Sequence, residues 1–325
     1  VAVDALLLAV GMALLVAGGR FLVSGASQLA GTLGVSELTI GLTVVAFGTS
    51  APELAVNTLA ALQGSADIAF GNVVGSNIAN IGLVIGVCAM LRPLLIDSAI
   101  LRRELPMMLL ATTAALILGL DRIRGESEAY DRADGVIFLL LFSIFLYYSI
   151  AEIVRGRRAD PIAEAAAERA HRDRFWNAGK AALLAATGFL LLIGGAELAV
   201  AYASSLAEAA GVPRALIGLT VVALGTSLPE LATSVVATWN GQTDLAVGNV
   251  VGSNIFNLLF ILGATSVIRL VEVPVAAGGV DLAAMAAFSL ALLLLARSKG
   301  SLISRGQGAA LAAAYVCYMT WRVAG

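Results

Sequence analysis

The chain has 325 residues, 59% of them hydrophobic and 13% charged, with a formal net charge of −2 and a mean hydropathy of +0.93. Soluble domains carry about 25% charged residues. This composition excludes a soluble enzyme or a basic nucleic-acid binder and specifies a polytopic α-helical membrane protein.

In chain order, apolar blocks predict ten spans, near Val3–Gly31, Ser36–Ala61, Ala66–Leu91, Ser98–Leu120, Ala133–Val154, Trp176–Ala209, Pro213–Trp239, Thr243–Ile268, Val280–Ala296 and Leu302–Trp321. The first block runs on to about Gly34, too long for the h-region of a cleavable signal. The first and sixth spans are long enough to imply strong tilt. Cys88 and Cys317 lie inside apolar spans and read as small buried hydrophobes. The one substantial hydrophilic segment, about Arg155–Phe175, predicts a short surface helix after Pro161. His171, the only histidine, falls there and is expected to be solvated and inert.

Gly41–Gly86, GLTVVAFGTSAPELAVNTLAALQGSADIAFGNVVGSNIANIGLVIG, returns as Gly218–Gly263 at a constant shift of 177, with 27 of 46 positions identical. Gly11, Gly34 and Val35 match Gly188, Gly211 and Val212 at the same shift. A period of half the chain indicates a duplicated transporter rather than a solenoid. The expected fold is an all-α membrane protein of ten transmembrane helices in two five-helix repeats, residues 1–154 and 176–325, flanking a short loop at 155–175. Five is odd, so the second repeat enters from the opposite side, and inverted halves can exchange roles in alternating access.

Sidedness follows from Lys and Arg. Arg92, Arg102, Arg103, Arg155, Arg157, Arg158, Arg169, Arg172, Arg174, Lys180, Arg297, Lys299 and Arg305 fall in one set of loops. Arg122, Arg124, Arg132, Arg214, Arg269 and Arg322 fall in the other. The excess assigns the first set to the cytoplasm and both termini to the outside of a cell membrane.

Two motifs place polar groups at membrane depth, where they mark ion paths. In Gly48-Thr49-Ser50-Ala51-Pro52-Glu53 and Gly225-Thr226-Ser227-Leu228-Pro229-Glu230, proline frees carbonyls one turn before the carboxylate. Thr49 and Ser50 precede Glu53 by four and three residues, which puts all three on one helical face. Carboxylate, hydroxyls and freed carbonyls make an all-oxygen site suited to hard cations. The second motif carries Asn72, Ser76 and Asn80, matched by Asn249, Ser253 and Asn257, each set a stripe at spacing four. Ser76, Asn80, Ser253 and Asn257 are candidate ligands, whereas Asn77 and Asn254 point about 100° away and suit backbone satisfaction. Asp67 and Asp244 read as helix N-caps. Arg20 and Glu197, equivalent but opposite in charge, read as snorkelling or helix-pairing groups.

These signatures, GTSxPEL followed by GNVVGSN, resemble the two α-repeats of the cation/calcium antiporter superfamily, most closely its prokaryotic sodium/calcium exchanger branch. The resemblance covers essentially the whole chain. It implies four central ligands, Glu53, Asn80, Glu230 and Asn257, surrounded by Thr49, Ser50, Ser76, Thr226, Ser227 and Ser253. Carbonyls of Ala46 and Ala223 would serve outlying sodium sites. It also implies more than two sodium ions per calcium, hence electrogenic exchange, with the first and sixth helices sliding across a more rigid core. Some members carry Asp at the position of Asn257, including the potassium-dependent exchangers. Its absence here argues against potassium co-transport.

The expected partners are calcium, sodium and the lipid bilayer, with no cofactor, no nucleic acid and function as a monomer. The nearest alternative is a proton/calcium or other divalent-cation antiporter on the same fold, although the GNAxEL-type motif typical of proton/calcium members is absent. A passive channel needs no internal inversion. An intramembrane enzyme would need a nucleophile–base pair or a His-rich cluster that the spans lack.

Overall fold

The structure is a computed structural model that describes residues 2–63, 66–120, 129–156, 163–211, 223–274, 278–298 and 300–324, without the side chains of 66–67, 152–176, 223 and 324. Expectations for Asp67, His171, Arg122, Arg124, Arg214, Lys299 and the first residues of the second signature lie outside the described residues. So do those for the side chains of Arg155, Arg157, Arg158, Arg169, Arg172 and Arg174.

Helix α1 spans Ala2–Leu33. Helix α2, Glu37–Thr49, bends by 43° into α3, Ala51–Gln63. Helix α4 joins Ala66–Ala79, a π-helical stretch Asn80–Ile85 and Gly86–Leu91. Helix α5 opens with the π-helical Ile100–Glu104 and continues as Leu105–Gly119. Then come α6 (Arg132–Gly156) and α7 (Ala163–Ala209). A short turn, Ala223–Gly225, precedes α8 (Leu228–Trp239). Helix α9, Thr243–Ile268, contains a further π-helical stretch, Asn257–Ile261. Helices α10 (Gly278–Arg297) and α11 (Arg305–Ala324) complete the chain.

Among the described residues six helices are long and apolar enough to cross a membrane, or seven if the bent α2–α3 pair is one span. The fourth, seventh and tenth expected spans are not among them. Helix α5 begins with Arg102, Arg103 and Glu104, residues 212–222 before α8 are not described, and α11 is alanine-rich with polar ends. The central hydrophilic segment also differs from expectation. From Ala163 it is not a separate surface helix but the first turns of a 47-residue α7. No proline or glycine interrupts 163–178, so nothing in the sequence stops the helix before the membrane.

Burial sorts the helices into core and periphery. In their most apolar windows α4 and α9 are 78% and 94% buried, but α1 and α7 only 33% each. The signature helices therefore form the centre. Helices α1 and α7 lie outside it as an antiparallel pair, and glycines set their close approach. Gly11, Gly18 and Gly25 recur every seven residues and meet Gly195, Gly188 and Ala181. A Cβ at Gly18 would stand 2.8 Å from the Gly188 carbonyl oxygen. Both helices end in left-handed glycines, Gly34 at φ 70° and Gly211 at φ 83°. This conformation ends a helix and is open to glycine at little cost, which explains why this repeat position is glycine in both halves.

Two short ribbons tie the halves together. Strand β1 (Leu94–Leu95) pairs antiparallel with β4 (Leu302–Ile303), and β2 (Ala129–Tyr130) with β3 (Val271–Glu272). The helix seams are reciprocal in the same way, with Gly86 against Gly308 and Gly263 against Gly135. Cys88 is buried, but Cys317 is exposed on the outer face of α11 rather than packed inside. Asp244 does not cap α9, since Gln242 is the N-cap and Asp244 sits in the first turn, where the helix dipole favours it.

Candidate cation site

Both proline motifs break their helices at the serine two residues before the proline. Ser50 (φ −85°, ψ 7°) and Ser227 (φ −87°, ψ 3°) leave the helical region. Each proline then falls in the first turn of a new helix, where its missing N–H costs nothing. Glu53 and Glu230 sit in those same first turns, where the positive end of the helix dipole favours a carboxylate. The break redirects the hydroxyls. Ser50 does not share a face with Glu53 but donates across to Glu230 Oε1 at 3.0 Å. The 43° bend between α2 and α3 is the reason.

Helices α9 and α4 close the site. Ser253 Oγ lies 3.5 Å from Glu230 Oε1 and 3.5 Å from Thr49 Oγ1. Ser76 Oγ lies 3.5 Å from Thr226 Oγ1, and Thr226 faces Glu53 without closing a hydrogen bond. Asn80 Nδ2 donates to Asn254 Oδ1 at 3.0 Å, which leaves Asn80 Oδ1 unpaired. Asn80 and Asn257 each open a π-helical stretch. Such insertions cluster at functional sites, and the residue spacing gives no warning of them. The Ala46 carbonyl accepts from Ser50 N at 3.1 Å and from Thr49 Oγ1 at 3.4 Å, and Ala223 opens the turn before the second break. Asn77 donates to the Val73 carbonyl and Asn254 to the Asn77 carbonyl, the backbone-satisfying role expected of them.

Glu53, Asn80, Glu230 and Asn257 are all 0% exposed. Both Glu53 oxygens, Glu230 Oε2, Asn80 Oδ1, both Asn257 polar atoms and Ser227 Oγ have no hydrogen-bond partner. Buried polar atoms without partners cost about 1–3 kcal/mol each, and more when charged. The two carboxylates lie within electrostatic reach of one another. No Lys or Arg is buried among the described residues to offset them. The unpaired oxygens are of the kind a hard cation takes as ligands.

Three residues of this network were not singled out from the sequence. Asn57 donates to the Glu53 carbonyl at 2.8 Å, Ser234 accepts from Asn249 at 3.0 Å, and Thr233 is fully buried beside them. The available signal was the repeat itself, since Asn57 and Ser234 are equivalent and both polar four residues after a Glu.

A family model described as sodium/calcium exchanger protein matches residues 3–151 and 180–324. The chain belongs to this family. Sodium/calcium exchanger MaX1 of Methanosarcina acetivorans is 33% identical over 98% of each chain. A protein of Alkalimonas amylolytica provisionally assigned as the antiporter CaxA is 39% identical over 97% of each. The solved sodium–calcium exchanger NCX_Mj superposes with a TM-score of 0.83 at 31% identity, covering 98% of both chains. As a member of a family of transporters, this exchanger-family chain is a multi-pass membrane protein that carries cations, and the buried oxygen cluster lies in its two signature repeats.

Proposed function

We propose that the protein exchanges sodium for calcium by alternating access, electrogenically and without potassium, across a cell membrane with both termini outside. The observation that carries this reading is a pair of fully buried carboxylates, Glu53 and Glu230, with unpaired oxygens and no buried base among the described residues. One calcium or two sodium ions would neutralise them, a further sodium would leave net positive charge and make the exchange electrogenic, and an empty site would keep two charges in the membrane. Intramembrane charge costs about 2.5–3.5 kcal/mol per residue on insertion scales. The empty carrier then resists switching while loaded forms switch, which makes exchange obligatory. The proposed ligands are Glu53, Asn80, Glu230 and Asn257, with Thr49, Ser50, Ser76, Thr226, Ser227 and Ser253 and the Ala46 and Ala223 carbonyls around them.

Two inverted five-helix halves, residues 1–154 and 176–325, joined by 155–175, are part of this reading. Equivalent helices α1 and α7 run antiparallel, and the ribbons and glycine seams are reciprocal, as a two-fold axis in the membrane plane requires. The neighbour NCX_Mj was studied soaked with sodium, calcium and strontium, which supports the same cargo here.

Proteoliposomes loaded with sodium and diluted into sodium-free buffer should take up radioactive calcium, whereas potassium or choline loading should give none. Uptake indifferent to sodium but driven by an internal acid load would assign proton coupling instead. Acidifying both faces should slow sodium-driven uptake, because protons compete for Glu53 and Glu230. Uptake that stays constant from neutral pH to below the ordinary carboxylate range of about 4 would remove the two carboxylates from the site.

A further inference from the structure

The two signature threonines do not bond as helical threonines usually do. Thr43, Thr112 and Thr265 give their protons to the carbonyl four residues back, at 2.7, 2.9 and 2.7 Å. Thr49 has only a 3.4 Å contact to the Ala46 carbonyl and donates at 3.1 Å to Asn249 Oδ1. Thr226 likewise donates at 3.1 Å to Asn72 Oδ1.

Proton direction can be followed outward from Thr49. Asn249 Nδ2 donates to Ser234 Oγ at 3.0 Å and its Oδ1 accepts from Thr49. Ser234 has one proton, which faces the Ala246 carbonyl at the long distance of 3.5 Å, so its lone pairs are open to the Asn249 amide. Thr49 must then be the donor, and its two lone pairs are left for other partners. A hydroxyl ligates a cation only through those lone pairs, and a proton aimed at the ion would repel it. Thr49, Ser234 and Asn249 are all at most 1% exposed, so no bulk water substitutes for any link. In the other half the chain stops early. Asn72 Nδ2 is buried and unpaired, as is Oδ1 of Asn57, the residue equivalent to Ser234.

We propose that Asn249, oriented by Ser234, is a positioning residue that turns the Thr49 oxygen towards a transported sodium ion, and that Asn72 does the same for Thr226. This rests on the cation site proposed above. The test is a double-mutant cycle on the full-length protein in proteoliposomes, reading half-saturating sodium, half-saturating calcium and maximal rate. Thr49→Val should raise half-saturating sodium about 3- to 10-fold, the worth of one hydrogen-bond-strength contact. Asn249→Ala should do the same while calcium half-saturation and maximal rate stay within about twofold. The double variant should match either single one, because both remove the same contact.

Additive shifts in the double variant would overturn the proposal, as would equal changes in all three readouts. If Thr49→Val leaves sodium dependence unchanged, the assignment of Thr49 as a ligand fails, and the positioning role with it. If Thr49→Val shifts it and Asn249→Ala does not, only the positioning role fails. Should Asn249→Ala not fold, Ser234→Ala decides. It removes the anchor of the amide and should shift half-saturating sodium in the same direction, and no shift overturns the proposal.

Discussion

Replacing either buried carboxylate with its amide, Glu53→Gln or Glu230→Gln, should abolish sodium-driven calcium uptake. Removing one partner of a buried charged cluster costs about 3–5 kcal/mol, a factor of more than about 100 in affinity. A divalent cation facing one carboxylate keeps an uncompensated charge in a buried site, so the loss falls on calcium more heavily than on sodium. The fold should survive. Each substitution removes a buried charge that has no basic partner among the described residues, so thermal stability without added cation should hold or rise. Calcium-dependent stabilisation should disappear at the same time, because a ligand that binds only the folded state stabilises it by mass action. Full transport in both variants would refute the site.

The two substitutions are not equivalent in their surroundings. Glu230 Oε1 is held by Ser50 at 3.0 Å and approached by Ser253 at 3.5 Å, whereas both Glu53 oxygens are unpaired. A glutamine at 230 can keep the Ser50 bond through its carbonyl oxygen, whereas one at 53 gains no such anchor. Sodium-dependent properties that survive in one variant should therefore survive better in Glu230→Gln.

The repeat made most of this architecture legible. The shift of 177 located both carboxylates, both asparagine stripes and one seam glycine on each of α1 and α7, Gly11 and Gly188, because duplicated residues kept for one physical reason recur together. Features that depend on helix direction were not legible. Residue spacing assumes 3.6 residues per turn throughout, so it placed Ser50 beside Glu53. The break at Ser50 sent it to Glu230 instead. The same assumption hid the π-helical stretches that begin at Asn80 and Asn257. The continuity of α7 back to Ala163 was missed because the polar segment was read as a separate surface helix. The segment's alanines and charged side chains are good helix formers wherever they lie. Cys317 shows the complementary limit, since an apolar span has an outer face as well as an inner one, and hydropathy cannot tell them apart.

Gly188→Val should slow transport strongly while leaving cation affinity in place. A Cβ there would lie 2.4 Å from Leu22 N and 2.8 Å from the Gly18 carbonyl oxygen. Both are backbone atoms, so no rotamer change relieves the clash and α1 must move off α7. Overpacking of this kind costs about 1–3 kcal/mol, which on a barrier corresponds to roughly 5- to 150-fold in rate. The proposed ligands lie on α2, α3, α4, α8 and α9, at the α2–α3 break and in the turn before α8, none on α1 or α7. A defect in the seam should therefore reach turnover without reaching half-saturating calcium. In the proposed cycle α1 and α7 slide together across the core, and a pair that no longer packs as one body cannot transmit that movement. Gly194→Ala is the control, because a Cβ there meets nothing within 4 Å, and its turnover should equal that of the unaltered protein. An unchanged rate in Gly188→Val would mean that α1 and α7 move independently. A matching loss of calcium affinity would mean that the seam holds the site itself together.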